Sequence, residues 1–384
     1  MFELAERLRK LPPYLFAELD EMKAKKESEG VSVIDFGVGD PDLPTPEHVV
    51  EAMKKAVEKV ENQKYPSYAG KYEFREAVSN FYRRRKGVEV EPDSVIALIG
   101  SKEGIAHLPL AFVESGDYVI YTEPGYPVYH SSAIMAGGIP YELSLKEENG
   151  FLPDLDSIPD EVARKAKIMF LNYPNNPTTA VAEMDFIKEV VDFCNDNGII
   201  LAHDAAYSEI GFDYRPRSFL EYENAFECVI EFGSLSKTYN MTGWRIAYAL
   251  GNEEAVKGLL KVKTNVDSGV FNAVQDAGVA ALNGDDRIIE ENNRIYRERR
   301  DRLVDGLKEL GFEVEKPKAT FYVWLRVGMP SMEFAKQLLD RAGVLVTPGV
   351  GFGKSGEGYV RFALTRDVAV IEEALRRMEG VDIV

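Results

Sequence analysis

The sequence predicts an α/β protein: a large domain with a mostly parallel sheet covered by helices, joined to a smaller α+β domain. Between about residues 45 and 280, short uninterrupted apolar runs alternate with stretches of helical period, the pattern of parallel strands buried on both faces. The last hundred residues change to a long charged helix, then short strands separated by two further helices. No repeat, low-complexity tract or linker interrupts the 384 residues, so any boundary lies inside continuous structure. A chain of this length favours two domains.

Taken in order, 31–37 reads as an apolar–polar strand, preceded by Pro12 and Pro13 in an arm that returns to the C-terminal part. In the large domain the runs at 95–99, 118–121, 168–171, 199–202 and 228–232 predict strands, and 105–113, 127–136 and 184–197 predict helices. A helix is then expected over 286–310, strands at 312–315, 321–325, 344–346 and 359–363, and helices near 332–341 and 368–378. The expected division is 1–44 (arm and part of the small domain), 45–284 (large domain) and 285–384 (small domain).

Lys plus Arg number 46 against 64 Asp plus Glu, a net charge of −18, which repels nucleic acid and anionic membrane over most of the surface. Two cysteines (Cys194, Cys228) and a charged N-terminal segment point to a cytoplasmic protein. No apolar run is long enough to span a membrane. The four histidines lack ligand spacing and no CxxC or HExxH occurs, so no metal is expected. The basic stretches 83–86 and 294–302 read as solvated helix faces with neighbouring acids. His203 beside Asp204 looks like an acid–base pair, but adjacent strand residues point to opposite faces, so it is expected to pack beneath the site.

The chemistry concentrates in polar residues at the C-terminal ends of the expected strands, where open α/β sheets place their ligand sites. These are Gly100-Ser101-Lys102, Asn175-Asn176-Pro177, Asp204 with Tyr207, and Ser234-Leu235-Ser236-Lys237 followed by Arg245. Singly each has an ordinary reading: Asn-Asn-Pro is a turn, and an Asp after a strand caps a helix. Together with Gly37-Val-Gly-Asp-Pro-Asp42, Tyr65-Pro-Ser-Tyr-Ala-Gly70, Gly243-Trp-Arg245 and Arg361 in Tyr-Val-Arg-Phe, they resemble the pyridoxal-phosphate aminotransferases of fold type I, over nearly the whole chain. Pro12-Pro-Tyr-Leu-Phe16, Gly100-Ser-Lys-Glu-Gly104, Gly125-Tyr-Pro-Val-Tyr129, Glu148-Asn-Gly-Phe-Leu-Pro153 and Gly349-Val-Gly-Phe-Gly353 are most similar to the LL-diaminopimelate aminotransferase branch.

The resemblance implies the cofactor pyridoxal 5'-phosphate, with Lys237 forming the Schiff base and carrying the proton; a lysine beside other cations and partly desolvated has the lowered amine pKa this needs. Asp204 would hold the pyridinium nitrogen protonated, Asn176 and Tyr207 would hydrogen-bond the phenolic oxygen, and Tyr126 would stack on the ring. Ser101 and Lys102 open a helix and form an anion site, with Ser234, Ser236 and Arg245 as further phosphate donors. Tyr65 matches a tyrosine that reaches the phosphate of the neighbouring subunit, implying a homodimer with shared active sites. Arg361 would grip the substrate α-carboxylate with its two-pronged guanidinium, aided by the Gly39 backbone.

The implied reaction is ping-pong transamination between small amino acids and 2-oxo acids, LL-2,6-diaminopimelate and 2-oxoglutarate in this branch. Tyr14 and Lys102 match positions near the distal end of that substrate, and Asp267-Ser268 is a further contributor from the other subunit. Two residues depart from the pattern: Tyr68 stands where an acidic distal contact is expected, and Thr179 stands where glycine is usual. Alternatives are an alanine, aspartate or aromatic aminotransferase, a pyridoxal-phosphate β-lyase, and a regulatory protein that kept the fold without activity. Intact Lys237, Asp204 and Arg361 argue against the last.

Overall fold

The computed structural model describes residues 2–11 and 15–381; Pro12, Pro13 and Tyr14 lie outside the described residues. In chain order the strands are β1 (Ile34–Asp35), β2 (Val95–Leu98), β3 (Tyr118–Glu123), β4 (Ile139–Ser144), β5 (Ala166–Asn172), β6 (Ile200–Asp204), β7 (Val229–Ser234), β8 (Ala247–Gly251), β9 (Tyr322–Arg326), β10 (Val344–Leu345), β11 (Thr347–Pro348) and β12 (Tyr359–Ala363). Seven of them form one sheet in the order β2-β8-β7-β6-β5-β3-β4. Only β8 runs against its neighbours, pairing antiparallel with both β2 and β7.

The uninterrupted apolar runs have a direct structural cause. Successive side chains of a strand point to opposite faces, and both faces of this sheet are covered. In β5, Ile168 and Phe170 belong to the apolar cluster of Ile105, Leu108 and Leu259, whereas Met169 and Leu171 belong to that of Ile187, Val190 and Val191. The helices Ser101–Phe112 and Glu253–Val266 supply the first layer and Met184–Asn197 the second. Each such side chain contributes about 1.5–3 kcal/mol on burial, so a strand with one polar face would leave one layer without a core.

A second core lies around the antiparallel sheet β11-β12-β9. It gathers Leu303 and Leu307 from the helix Arg287–Glu309, Phe334 and Leu338 from Ser331–Ala342, and Ile371 from Val368–Glu379. Ile34 and Phe36 join this core, because β1 pairs in parallel with β10. Tyr207, Ile210 and Phe212, which follow β6, also belong to it. The two cores therefore meet beside the end of β6.

Some expected elements differ. Residues 312–315 form no strand: Phe312 and Val314 pack on the second core as irregular chain without a ladder partner. The strand expected at 31–37 forms a ladder only at Ile34–Asp35, with Phe36 adding bonds to Leu345 and Ala363. β4 and β8 stand outside the expected strands: β4 is an edge strand with Pro140 inside it, and β8 belongs to the short buried apolar run 246–250 that directly follows Gly243-Trp-Arg245. The basic stretches are not wholly solvated either. Lys86 is buried, 2.7 Å from Glu209 and donating to the Ser208 carbonyl. Arg299 is buried and grips Asp42 with two bonds of 2.6 and 2.7 Å. Long cations enter an interior when a carboxylate and carbonyls satisfy them, and the Arg299–Asp42 pair fixes the loop that carries Gly39.

Candidate active site

The C-terminal ends of β2, β3, β5, β6 and β7 open onto one cavity of about 500 Å³, closed on its far side by Val38–Asp40 and by β9 and β12. Of the residues expected at the site, Gly39, Ser101, Lys102, Tyr126, Asn176, Asp204, Tyr207, Ser234, Ser236, Lys237, Arg245 and Arg361 all line it. Tyr65 does not; its side chain is 89% exposed. Tyr14 lies outside the described residues.

Lys237 sits in the single-turn helix Leu235–Thr238 that follows β7, where the Ser234 hydroxyl accepts from the Ser236 N–H at 3.2 Å. Its Nζ donates to the Gly39 carbonyl at 2.6 Å and lies 5.6 Å from the Phe321 ring centroid. Burial lowers the amine pKa, Asp40 opposes this, and the nearby Arg361 and Arg245 add to the depression, giving about 8. At neutral pH the amine is still mostly protonated, yet its neutral, nucleophilic form is far more abundant than for an ordinary lysine.

Asp204 ends β6, buried. Its carboxylate accepts from the Tyr129 hydroxyl at 2.8 Å and from the Ala206 N–H at 3.3 Å. Burial pushes the carboxyl pKa up, while the Tyr129 hydrogen bond and His203 pull it down. Among the described residues no lysine or arginine pairs with it, so a protonated ring nitrogen suits it. Asn172 braces the neighbourhood, donating to the Asp204 carbonyl at 2.7 Å and accepting from the Asn176 N–H at 2.8 Å. His203 lies on the opposite side of β6, its ring stacked 3.9 Å from that of Phe219, with Nδ1 2.8 Å from Glu231. Glu231, fully buried, also accepts from Tyr82 at 2.7 Å and from Ser218 at 2.9 Å.

Arg361, in β12, is only 3% exposed. Nη1 donates to Asn176 Oδ1 at 2.6 Å and Nη2 to the Gly37 carbonyl at 2.8 Å. The guanidinium carbon lies 4.2 Å from the Tyr322 ring centroid and 4.7 Å from that of Phe352. Its Nε has no partner, and among the described residues no carboxylate pairs with it. A buried cation that lines a cavity and has no carboxylate beside it is a seat for an anionic group.

Opposite, Gly100 takes φ +82° ahead of the helix Ser101–Phe112, which has no side-chain cap. A Cβ at Gly100 would collide with the Arg245 guanidinium, so glycine lets this cation lie against the chain that opens the helix. Arg245 is itself left-handed at φ +55°, held by its bond to the Thr242 carbonyl at 2.8 Å. That conformation costs a non-glycine residue about 1–2 kcal/mol. Uncapped helix N–H groups, Ser101, Ser234, Ser236 and Arg245 make a donor set that fits a phosphate, and the site as a whole fits pyridoxal 5'-phosphate.

Several site residues escaped the sequence reading. Tyr129 lies one helical turn after Tyr126, and Asn172 is the last residue of β5, so both carried a positional signal. Tyr322 and Phe352 carried none, because they arrive from the second core. Asp20 and Asp40 also line the cavity. Asp267 is engaged by Lys263, whose buried Nζ lies 3.1 Å from both Asp267 and Glu103. Tyr68 is exposed. Thr179 adopts φ +65°, the conformation a glycine takes without strain.

The sequence and the fold both have known counterparts. Residues 31–378 match the family model for class I and II aminotransferases. The chain is 55% identical to an LL-diaminopimelate aminotransferase of Aquifex aeolicus, with all of both chains covered. Among solved structures it is similar to the substrate-bound BacF protein of Bacillus subtilis (40% identity, TM-score 0.95, covering 99% of this chain and 98% of that one). It is also similar to an aspartate aminotransferase variant of Thermus thermophilus (29% identity, TM-score 0.92, covering 98% and 99%). With the lysine, aspartate and arginine of the cavity in the places described, the chain belongs to the class I and II aminotransferase family.

Proposed function

We propose that the protein is a pyridoxal 5'-phosphate-dependent aminotransferase that moves the amino group of LL-2,6-diaminopimelate to 2-oxoglutarate, a step of lysine biosynthesis. The observation that carries the reaction class is the Lys237 amine, lowered to about 8 chiefly by burial, in one cavity with the buried carboxylate of Asp204 and the buried guanidinium of Arg361, which meets no carboxylate among the described residues. The substrate reading rests on full-length relatives of that name at 55% and 54% identity.

When bound, the cofactor supplies an aldehyde for amines and a protonated ring that takes up the electron pair left when Cα is deprotonated. The protein's own groups do the rest. Lys237 Nζ takes the Cα proton and returns it on the other side of the exchange. Asp204 holds the proton on the ring nitrogen, and Tyr207 and Asn176 donate toward the phenolic oxygen. Arg361 fixes the α-carboxylate with two donors, orienting the Cα–H bond toward Lys237. Tyr126 covers the ring, and Ser101, Ser234, Ser236 and Arg245 hold the phosphate.

For the distal end, Lys102 carries the positive charge and Asp20 and Asp40 the negative charge lining the cavity, complementary to a group bearing both a carboxylate and an ammonium. These acids answer the missing carboxylate at position 68. Tyr65, exposed and away from its own cavity, serves the phosphate of a second copy in a homodimer.

The test mixes cofactor-loaded protein in turn with LL-diaminopimelate, L-glutamate, L-aspartate and L-alanine, following the cofactor's absorbance. Rapid conversion by the first two and slow conversion by the others is expected. Faster conversion by aspartate or alanine overturns the substrate reading and leaves the reaction class standing.

A further inference from the structure

Two strained or buried features meet at Tyr322. Thr320 has φ +67°, a conformation that a β-branched residue adopts only under constraint. The constraint is visible: its N–H donates to the Ile210 carbonyl at 3.1 Å, and its hydroxyl accepts from the Tyr322 N–H at 3.2 Å. The bend turns the next two rings into the site. Phe321 lies beside Lys237, and Tyr322, 2% exposed, places its hydroxyl 3.0 Å from that of Tyr207. The Tyr322 ring lies 4.2 Å from the Arg361 guanidinium carbon, and a Cβ on Gly39 would collide with its hydroxyl. One phenol therefore touches the expected cofactor-oxygen donor, the expected carboxylate arginine and the segment whose carbonyl holds Lys237.

We propose that Tyr322 is a positioning residue that couples Arg361 to Tyr207: its hydroxyl donates to Tyr207 and its ring holds the guanidinium flat. The inference rests on the function proposed above. A Tyr207 oxygen that accepts from Tyr322 keeps its own proton for the cavity, and a hydroxyl that accepts a hydrogen bond is a stronger donor. The aromatic face holds Arg361 without neutralising its charge, leaving that charge for the substrate.

The test uses cofactor-loaded protein without substrate and reads the pH midpoint of the cofactor's visible colour change. Tyr322→Phe is expected to raise the midpoint by about half to one pH unit. A weaker Tyr207 donor stabilises less well the cofactor's phenolic oxygen, whose charge stands uncompensated once the neighbouring nitrogen loses its proton. In a Tyr207→Phe background the same substitution is expected to add no shift. The affinity for maleate, an unreactive dicarboxylate, is expected to stay within about twofold in Tyr322→Phe and to fall about fivefold or more in Tyr322→Leu. An unchanged midpoint in Tyr322→Phe, or an equal shift with and without Tyr207, overturns the proposal, as does unchanged maleate affinity in Tyr322→Leu. If Tyr322→Leu fails to fold, the isosteric Tyr322→Phe and the double variant still decide. Wild-type protein that takes up no cofactor overturns the proposed function instead.

Discussion

In the protein stripped of cofactor, Lys237 is expected to titrate near pH 8. An amine with the ordinary pKa of 10.5 is about one part in three thousand neutral at pH 7, whereas one at about 8 is about one part in ten neutral. The nucleophilic form is thus enriched about three-hundredfold. Lower basicity makes each neutral amine less reactive, so the net gain in rate at pH 7 is on the order of tenfold to a hundredfold. The assay is brief labelling with a limiting amine-acylating reagent across pH 6–10, followed by mass spectrometric measurement of the peptide carrying Lys237, with the exposed Lys55 as reference. Asp40 opposes the depression, so Asp40→Asn is expected to move the Lys237 midpoint further down. A Lys237 profile with its midpoint at pH 10 or above, or an upward shift in Asp40→Asn, refutes the reasoning.

The same depression has a stability consequence: between pH 8 and 10.5 the unfolded chain binds more protons than the folded one, so folding strengthens as pH rises through that window and the penalty is complete below it. Denaturant midpoints of cofactor-free wild type, compared with Lys237→Met, are expected to diverge in favour of wild type by about 2 kcal/mol between pH 7 and 9.5. Arg361→Lys, which loses the planar fork, is expected to raise KM for the amino acid about ten- to a hundredfold in steady-state assays. Glu231→Leu strands His203, Ser218 and Tyr82 without their buried acceptor and is expected to cost about 3 kcal/mol in chemical unfolding. Mixing Tyr65→Ala with Lys237→Ala subunits is expected to restore activity through the one intact site of the mixed dimer, whereas self-contained sites would restore none.

What could be read in advance follows the range of the forces involved. The runs of β5 and β6 announced themselves because covering a strand on both faces demands consecutive apolar residues, and the sheet's C-terminal residues were legible because each follows its strand directly in sequence. β8 carries the same signal in the apolar run 246–250, but the run directly follows the site motif Gly243-Trp-Arg245 and reads as part of it. Residues 312–315 alternate like a strand, yet pairing requires a free ladder edge, and the alternation serves only to pack two side chains. Arg361 was reached through the resemblance alone; nothing in Tyr-Val-Arg-Phe says that its guanidinium will lie between two aromatic rings. Tyr322 marks the limit, since its importance arises from contacts with residues 115 and 283 positions away, Tyr207 and Gly39.

The Arg361 guanidinium is braced by Asn176, the Gly37 carbonyl and two rings before any ligand enters. Freezing so long a side chain forfeits up to about 2 kcal/mol of rotamer freedom, and here that loss falls within the folding equilibrium. An arriving carboxylate meets a rigid, poorly hydrated partner and gives up only its own freedom. A carboxylate ligand should accordingly act as a conformational stabiliser of the whole chain, tying the second core to the large sheet through the bond between Arg361 and Asn176.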